Sequence, residues 1–92
     1  MKCRRTARFK KAFAKLPETT KIKVAKAFVL FQENPQHSSL NTKKIKGTEN
    51  IWEGRIDDFY RFTFEYTTDP DSDDLICVFR NIGRHDIIDH AP

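Results

Sequence analysis

The chain has 92 residues, 38% of them hydrophobic and 33% charged, and a formal net charge of +4 at neutral pH. This length predicts a single domain over residues 1–92, and its eight phenylalanines argue against intrinsic disorder. There is no apolar run long enough to span a membrane and no apolar signal-peptide stretch, so we expect a cytoplasmic protein. Thirteen lysines and arginines oppose three glutamates in residues 1–50, whereas four arginines oppose ten acids in residues 51–92. This asymmetry favours nucleic acid, ribosomal RNA or an acidic protein as partner.

The first half of the sequence predicts a short edge strand followed by two helices. The strand is expected over residues 2–7. Between residues 8 and 16, apolar residues recur at three- and four-residue steps, which indicates one face of a helix. Pro17 ends this helix, and a second helix is expected from Glu18 to Glu33. The face that we expect the second helix to bury comprises Ile22, Ala25, Phe28, Val29 and Gln32, widened by Val24, Ala27 and Phe31.

The second half predicts a run of strands. A loop over residues 36–42 leads to a short strand over 43–46. Further strands are expected at about 51–57, 59–67 and 74–82, paired as an antiparallel meander. Gly83 is expected to break the last strand, and residues 84–90 to form a strand end or one helical turn. The order of elements predicts an α+β fold with the helices on one face of a twisted sheet.

Alternation along the strand at 59–67 divides its side chains between two faces of the sheet. Tyr60, Phe62, Phe64 and Tyr66 are expected in the core, which leaves Arg61 on the opposite face. On the preceding strand, Glu53, Arg55 and Asp57 are expected to share that face with Arg61. A sheet with a core on one side and arginines plus His85 on the other is suited to binding an anion.

The cysteines and histidines give no sign of a metal site. Cys3 and Cys77 lie in apolar, strand-like segments without CxxC spacing, and we expect them to be buried thiols. The spacing of His37, His85 and His90 does not match a metal-binding motif. We therefore expect neither a metal nor another cofactor.

Several motifs together carry a resemblance to a known family. They are RFKKAFAKLP, FQENPQHSSL, KKIKG, NIWEGRIDDFYRFTFEY and VFRNIGRHDIID. In this order they resemble the RelE/ParE superfamily, the toxins of type II toxin-antitoxin modules. The resemblance implies an N-terminal strand, a two-helix hairpin, an antiparallel meander and a cognate antitoxin as partner. RelE-like toxins cleave mRNA on the ribosome, whereas ParE-like toxins inhibit DNA gyrase without nuclease activity, and a non-toxic antitoxin-binding relative is a third alternative.

The RelE-like function, ribosome-dependent cleavage of mRNA, is the leading hypothesis, and it implies a metal-independent endoribonuclease that needs a base, an acid and a cation. His85 occupies the place of the catalytic histidine in histidine-bearing relatives of RelE. Its alternative role is to cap the strand end or to bond Asp86. Arg61 matches the arginine of the family's YR motif, which contacts the scissile phosphate. Its alternative is a salt bridge to Glu53 or Glu65.

Other charged residues are expected around these two. Arg55 and Arg84 are predicted phosphate ligands, although Arg55 can instead pair with Asp57 or Glu53. Glu53 departs from the RelE pattern, in which a lysine lies near this position. It is expected to act as a base, to orient His85, or to neutralise Arg55. Ribosomal RNA is the expected ligand of three lysines that can alternatively form a solvated basic face, namely Lys43, Lys44 and Lys46.

The sequence also departs from the family at its C-terminal end. Many relatives end an HDxxY pattern with a tyrosine that stacks on a base, and here that position is Asp89. Base stacking would then need Tyr60, Phe59 or Trp52, of which Trp52 is expected in the core.

Overall fold

The computed structural model describes residues 2–92 and confirms the predicted α+β architecture. Two helices follow the first strand, and four further strands and a short helix complete the fold. The strands are β1 (Lys2–Arg5), β2 (Lys43–Lys44), β3 (Trp52–Arg55), β4 (Tyr60–Thr68) and β5 (Leu75–Arg84). The α-helices are α1 (Ala7–Ala14), α2 (Glu18–Glu33) and α3 (Ile87–His90). No helix in this part of the chain is long and apolar enough to cross a membrane.

The five strands form one mixed sheet in the order β1-β5-β4-β3-β2. Strands β2 to β5 pair antiparallel, which confirms the predicted meander. β1 pairs parallel to β5 and forms an edge of the sheet, as expected. Its Cys3 lies opposite Cys77 in the register, and both are free thiols. β2 has two residues instead of the predicted four, so the sheet is narrow at that edge.

Local sequence fixes the ends of the helices. The hydroxyl of Thr6 accepts a hydrogen bond from the Phe9 amide at 3.0 Å and caps α1. The same hydroxyl donates to the Arg80 carbonyl at 2.9 Å, which ties the start of α1 to β5. α1 ends at Ala14, two residues before the predicted end, whereas α2 has the predicted bounds.

The core lies between the α1–α2 layer and one face of the sheet. Phe31 is fully buried, and its ring centroid lies 5.0 Å from that of Phe64 and 5.4 Å from that of Phe79. Phe28 stacks on Phe79 at 4.4 Å. These edge and stacked contacts give the aromatic residues of helix and sheet a specific mutual packing.

The predicted buried face of α2 is wrong for four of its residues. Ile22 and Val29 are 58% and 60% exposed, and Ala25 and Gln32 are also exposed. α2 has apolar residues on nearly every side, so spacing alone did not identify the stripe that meets the sheet. The buried residues are Thr20, Val24, Ala27 and Phe31.

β5 continues through Gly83, so the prediction that this glycine breaks the strand is wrong. A bulge lies between the pairs Thr63–Asn81 and Phe64–Phe79, where β5 has one extra residue, Arg80. A bulge changes which side chains point to each face of the sheet. As a result, both Phe79 and Ile82 are buried in the core, although they are three positions apart and regular alternation would place them on opposite faces of the sheet.

The C-terminal segment folds back over the sheet face opposite α1 and α2. The Asn81 side-chain amide donates to the Ala91 carbonyl at 2.7 Å, and the Thr63 hydroxyl donates to the Pro92 carbonyl at 2.6 Å. A Cβ on Gly83 would lie 2.9 Å from Ile87, so this glycine allows α3 to pack closely. Residues 84–90 contain both predicted features, because β5 ends at Arg84 and α3 forms a helical turn at Ile87–His90. The sequence did not predict that the C-terminal segment covers this face of the sheet.

Candidate functional site

Arg55 and Arg61 lie side by side on the sheet face opposite the α1–α2 layer. They are direct cross-strand partners, as are Glu53 and Thr63. Cross-strand partners project from the same face, so Glu53, Arg55 and Arg61 share a face as predicted. Asp57 does not belong to it, because it lies beyond β3 and forms a 3.1 Å salt bridge to Lys23 of α2. The expected position of Asp57 is therefore wrong.

Both arginines already have protein partners. Nη1 of Arg61 donates to the backbone carbonyls of Asp57 and Tyr60, the latter at 2.9 Å. Arg55 forms a salt bridge to Asp58. These partners differ from the carboxylates that the sequence suggested, and Glu65 pairs with Arg80 instead at 3.0 Å. Within residues 2–92, Nη2 and Nε of Arg61 donate to no acceptor, so they are free to bind an anion.

His85 follows the last residue of β5 and is exposed. Its backbone N–H donates to the Phe59 carbonyl at 2.9 Å, which fixes the chain at this point. The imidazole makes no hydrogen bond or salt bridge to the described part of the chain, including Asp86. Arg61 on β4 lies opposite Gly83 on β5, and Gly83 is two residues before His85. Sheet spacing separates the Cα atoms of Arg61 and His85 by roughly 8 Å, a distance that one phosphate can bridge between two side chains.

Glu53 lies far from His85. It is opposite Thr63, which in turn is opposite Asn81, four residues before His85. Two strand spacings and four residue steps separate the Cα atoms of Glu53 and His85 by roughly 16 Å. Glu53 therefore does not orient His85 in this conformation, and the predicted catalytic residues are not gathered at one point.

Glu53 instead lines a groove beside the edge strand β2. The groove has a volume of about 370 Å³ and brings Glu53 together with Ile88 and Asp89 of α3. Its other walls are the predicted RNA ligands and one buried residue, Lys43, Lys44, Lys46 and Ile45. Three exposed ammonium groups outnumber the two carboxylates, so the groove favours an anion. Nowhere in residues 2–92 do three or more His, Cys, Asp or Glu side chains form a group that could hold a metal ion.

Phe59 and Arg84 form an exposed pair beside His85. The Phe59 side chain is 56% exposed, and the guanidinium carbon of Arg84 lies 5.6 Å from its ring centroid. Arg84, a predicted phosphate ligand, is thus at the same end of the sheet as His85. Alternation along β4 predicts that Phe59 lies on the side opposite the core, but it does not predict that its ring is exposed. Trp52 is partly buried against Phe64, as expected for a core residue.

Asp57 holds the loop between β3 and β4 in place. Its carboxylate accepts hydrogen bonds from the amides of Phe59 and Tyr60, both at 2.9 Å. Partial burial raises the pKa of Asp57, but these two amides and the Lys23 ammonium lower it by more, so the pKa lies below its ordinary value. The carboxylate therefore stays ionised and keeps the loop closed at neutral pH.

Known proteins resemble this chain in structure rather than in sequence. No protein-family model matches the sequence, and no curated protein sequence matches it. Among solved structures, a YoeB/ParE toxin from Agrobacterium tumefaciens matches with a TM-score of 0.73 at 15% identity, over 92% of this chain and 99% of that one. The chain is also similar to the RelB-RelE antitoxin-toxin complex from Methanococcus jannaschii, with a TM-score of 0.69 at 23% identity over 97% and 99%.

A third structure, YafQ from E. coli strain BL21(DE3), matches with a TM-score of 0.69 at 13% identity. The match covers 90% of this chain and 91% of the YafQ chain. Each of the three matches spans nearly the full length of both compared chains. The predicted RelE/ParE-like fold is confirmed.

Proposed function

We propose that this chain, which has the fold of the RelE/ParE toxins, is the toxin of a type II toxin-antitoxin module and a ribosome-dependent mRNA endoribonuclease. The observation that carries the proposal is the exposed His85 at the end of β5, one strand away from Arg61. An imidazole that can accept or donate a proton and a guanidinium that binds phosphate are groups that RNA cleavage without a metal requires.

The proposed reaction is attack of an RNA 2′-hydroxyl on the neighbouring phosphorus. The hydroxyl loses its proton, a bond forms to phosphorus, and the bond to the 5′-oxygen breaks as that oxygen gains a proton. His85 accepts the first proton as a base or supplies the second as an acid, and solvent water completes the other transfer, which leaves a 2′,3′-cyclic phosphate and a free 5′-hydroxyl. Arg61 stabilises the negative charge that develops on the phosphate oxygens. Arg84 lies opposite Tyr60 in the register, on the other face of this sheet end, and contacts a flanking phosphate. Arg55 can join them only if it leaves Asp58, and Glu53 is too far away to take part with His85.

The proposed partners are a cognate antitoxin, the ribosome and mRNA, in the cytoplasm. Two of the solved structures with this fold are complexes named for RelE and RelB. The groove beside β2 supplies a second contact for RNA, through its three exposed lysines. Such phosphate contacts weaken with added salt, because binding releases counterions from the nucleic acid.

Cleavage mapping by primer extension in a translation extract tests this proposal. The variants are His85→Ala and, as a matched control, His90→Ala, since both histidines are exposed in the C-terminal segment. We expect wild type and His90→Ala to cut translated message at fixed positions within codons, and His85→Ala to cut at least about a hundredfold more slowly. Untranslated transcript should stay intact. Absence of cuts with wild-type protein would refute the nuclease proposal.

A second candidate function is inhibition of DNA gyrase without nuclease activity. The observation that favours it is the salt bridge of Arg55 to Asp58, together with the separation of Glu53 from His85. A supercoiling assay with purified gyrase distinguishes the two. Inhibition by both wild type and His85→Ala, with no mRNA cleavage, would establish the gyrase function. A protein inactive in both assays would be the non-toxic antitoxin-binding relative.

A further inference from the structure

Phe59 differs from the other large apolar side chains on the surface. Within residues 2–92, four such side chains are more than half exposed: Ile22, Val29, Phe59 and Leu75. Phe59 is the aromatic residue among these four, and the guanidinium of Arg84 lies over its ring. An exposed ring with a cation beside it can stack with a planar, electron-rich group.

The backbone of Phe59 is fixed even though its ring is exposed. Its amide donates to the Asp57 carboxylate at 2.9 Å, and its carbonyl accepts from the His85 amide at the same distance. Asp57 is in turn held by its salt bridge to Lys23. Immobilising this loop in advance lowers the entropy that a ligand must lose on binding. The ring is thus a preorganised surface and not a mobile loop tip.

The charges around Phe59 admit an anion. The two carboxylates of the loop are both neutralised, Asp57 by Lys23 and Asp58 by Arg55. Arg84 has no salt bridge within residues 2–92, and the His85 imidazole beside it is unpaired. A ligand that carries a planar ring next to a phosphate could therefore stack on Phe59 while its phosphate contacts the positive charge beside it.

We propose that Phe59 is a stacking platform for a base of single-stranded nucleic acid, with Arg84 and His85 contacting the adjacent phosphate. The inference rests on the proposed function in taking RNA as the natural ligand. In that setting Phe59 positions the nucleotide next to the scissile phosphate, so that His85 meets the reacting oxygen. The residue is a positioning residue, and it occupies a different element from the C-terminal end, where Asp89 replaces the expected tyrosine.

Binding of short fluorescein-labelled DNA strands, measured by fluorescence anisotropy, tests the platform without the ribosome. DNA lacks the 2′-hydroxyl and cannot be cut by the proposed reaction. The probes are a strand with bases and an abasic strand of equal length, which carry the same number of phosphates. Wild type should bind the strand with bases about tenfold more tightly, since stacking on an aromatic ring contributes on that scale.

The variants separate stacking from simple apolar contact. Phe59→Tyr should keep the preference for bases, whereas Phe59→Leu, of similar size but without a ring, should lose it. Leu75→Ala is the control, because Leu75 is similarly exposed but lies at the opposite end of β5. Circular dichroism melting of each variant shows that it is folded.

The outcomes for the platform and for the nuclease are distinguishable. Equal affinity of wild type for the two strands, or no binding to either, would overturn the platform. A preference for bases that Phe59→Leu retains would overturn it as well. A preference that Phe59→Leu loses would support it, and if translated message then stayed intact, the nuclease proposal alone would fail. In the cleavage assay, Phe59→Leu should lower the rate about tenfold, with Phe59→Tyr close to wild type.

Discussion

Replacing Gly54 with alanine should destabilise the protein strongly, because this glycine lies beneath the ring of its cross-strand partner Phe62. A Cβ at position 54 would lie 2.2 Å from Cζ and 2.4 Å from Cε1 of Phe62. Both distances are far inside van der Waals contact. The ring cannot move aside, because it is fully buried among Phe28 at 5.5 Å, Phe64 at 5.7 Å and Phe31 at 5.9 Å.

The expected size of the effect follows from this confinement. Adding a methyl group to a filled core typically costs about 1–3 kcal/mol of unfolding free energy. Gly54 is at the upper end of this range, since neither the strand backbone nor the enclosed ring can give way. We expect a loss of about 2–3 kcal/mol, which for a domain of this size lowers Tm by roughly 10–20 °C. β3 also carries Glu53 and Arg55, so the variant should disturb the site as well.

Thermal unfolding followed by circular dichroism measures this loss, and a double-mutant cycle identifies its cause. In a Phe62→Leu background the ring is absent, so Gly54→Ala should cost much less there than in wild type. The control is Gly83→Ala, where the close atom belongs to Ile87 of the short terminal helix α3 and can move away. A Gly54→Ala variant within about 0.5 kcal/mol of wild type, or additive effects in the cycle, would refute the steric reasoning.

Two further predictions concern ionisable groups. Burial, followed by the neighbouring Cys3, raises the pKa of the Cys77 thiol to about 12, so iodoacetamide at pH 8 should alkylate Cys3 in the native protein and leave Cys77 unmodified. Peptide mass spectrometry measures this, and equal modification of the two would contradict it. The pKa of Asp57 is lower in the folded protein than its ordinary value of 3.8, so the ionised carboxylate stabilises the fold at pH values above 3.8. This contribution is lost as the pH falls through the folded-state pKa. Between pH 7 and pH 3, urea unfolding should therefore show a smaller loss of stability in Asp57→Asn than in wild type, and equal losses would argue against the role of this carboxylate.

Periodicity predicted most of the fold because local sequence fixes the elements. The bounds of α2, the aromatic face of β4 and the antiparallel meander all follow from side-chain spacing and from residues such as Pro17 and Asn34, which flank α2. Periodicity failed where apolar residues occur on nearly every side of a helix, as in α2, and where strand pairing adds a bulge, as at Arg80. Which stripe is buried depends on the sheet that the helix meets, and that contact is not local.

For the candidate site, side-chain alternation in the sequence was sufficient to predict which residues share a sheet face and which one follows the last strand. Alternation is a local property of a strand, so Glu53, Arg55 and Arg61 were placed together, and His85 at the strand end. The distances between these groups, and the atoms that each of them contacts, depend on how the whole chain folds. Strand register separates Glu53 from His85, the turn of the β3–β4 loop brings carbonyls to Arg61, and the folded-back C-terminal segment covers Thr63 and Asn81. These contacts join residues distant in sequence, and the free energy of packing the whole chain selects among them.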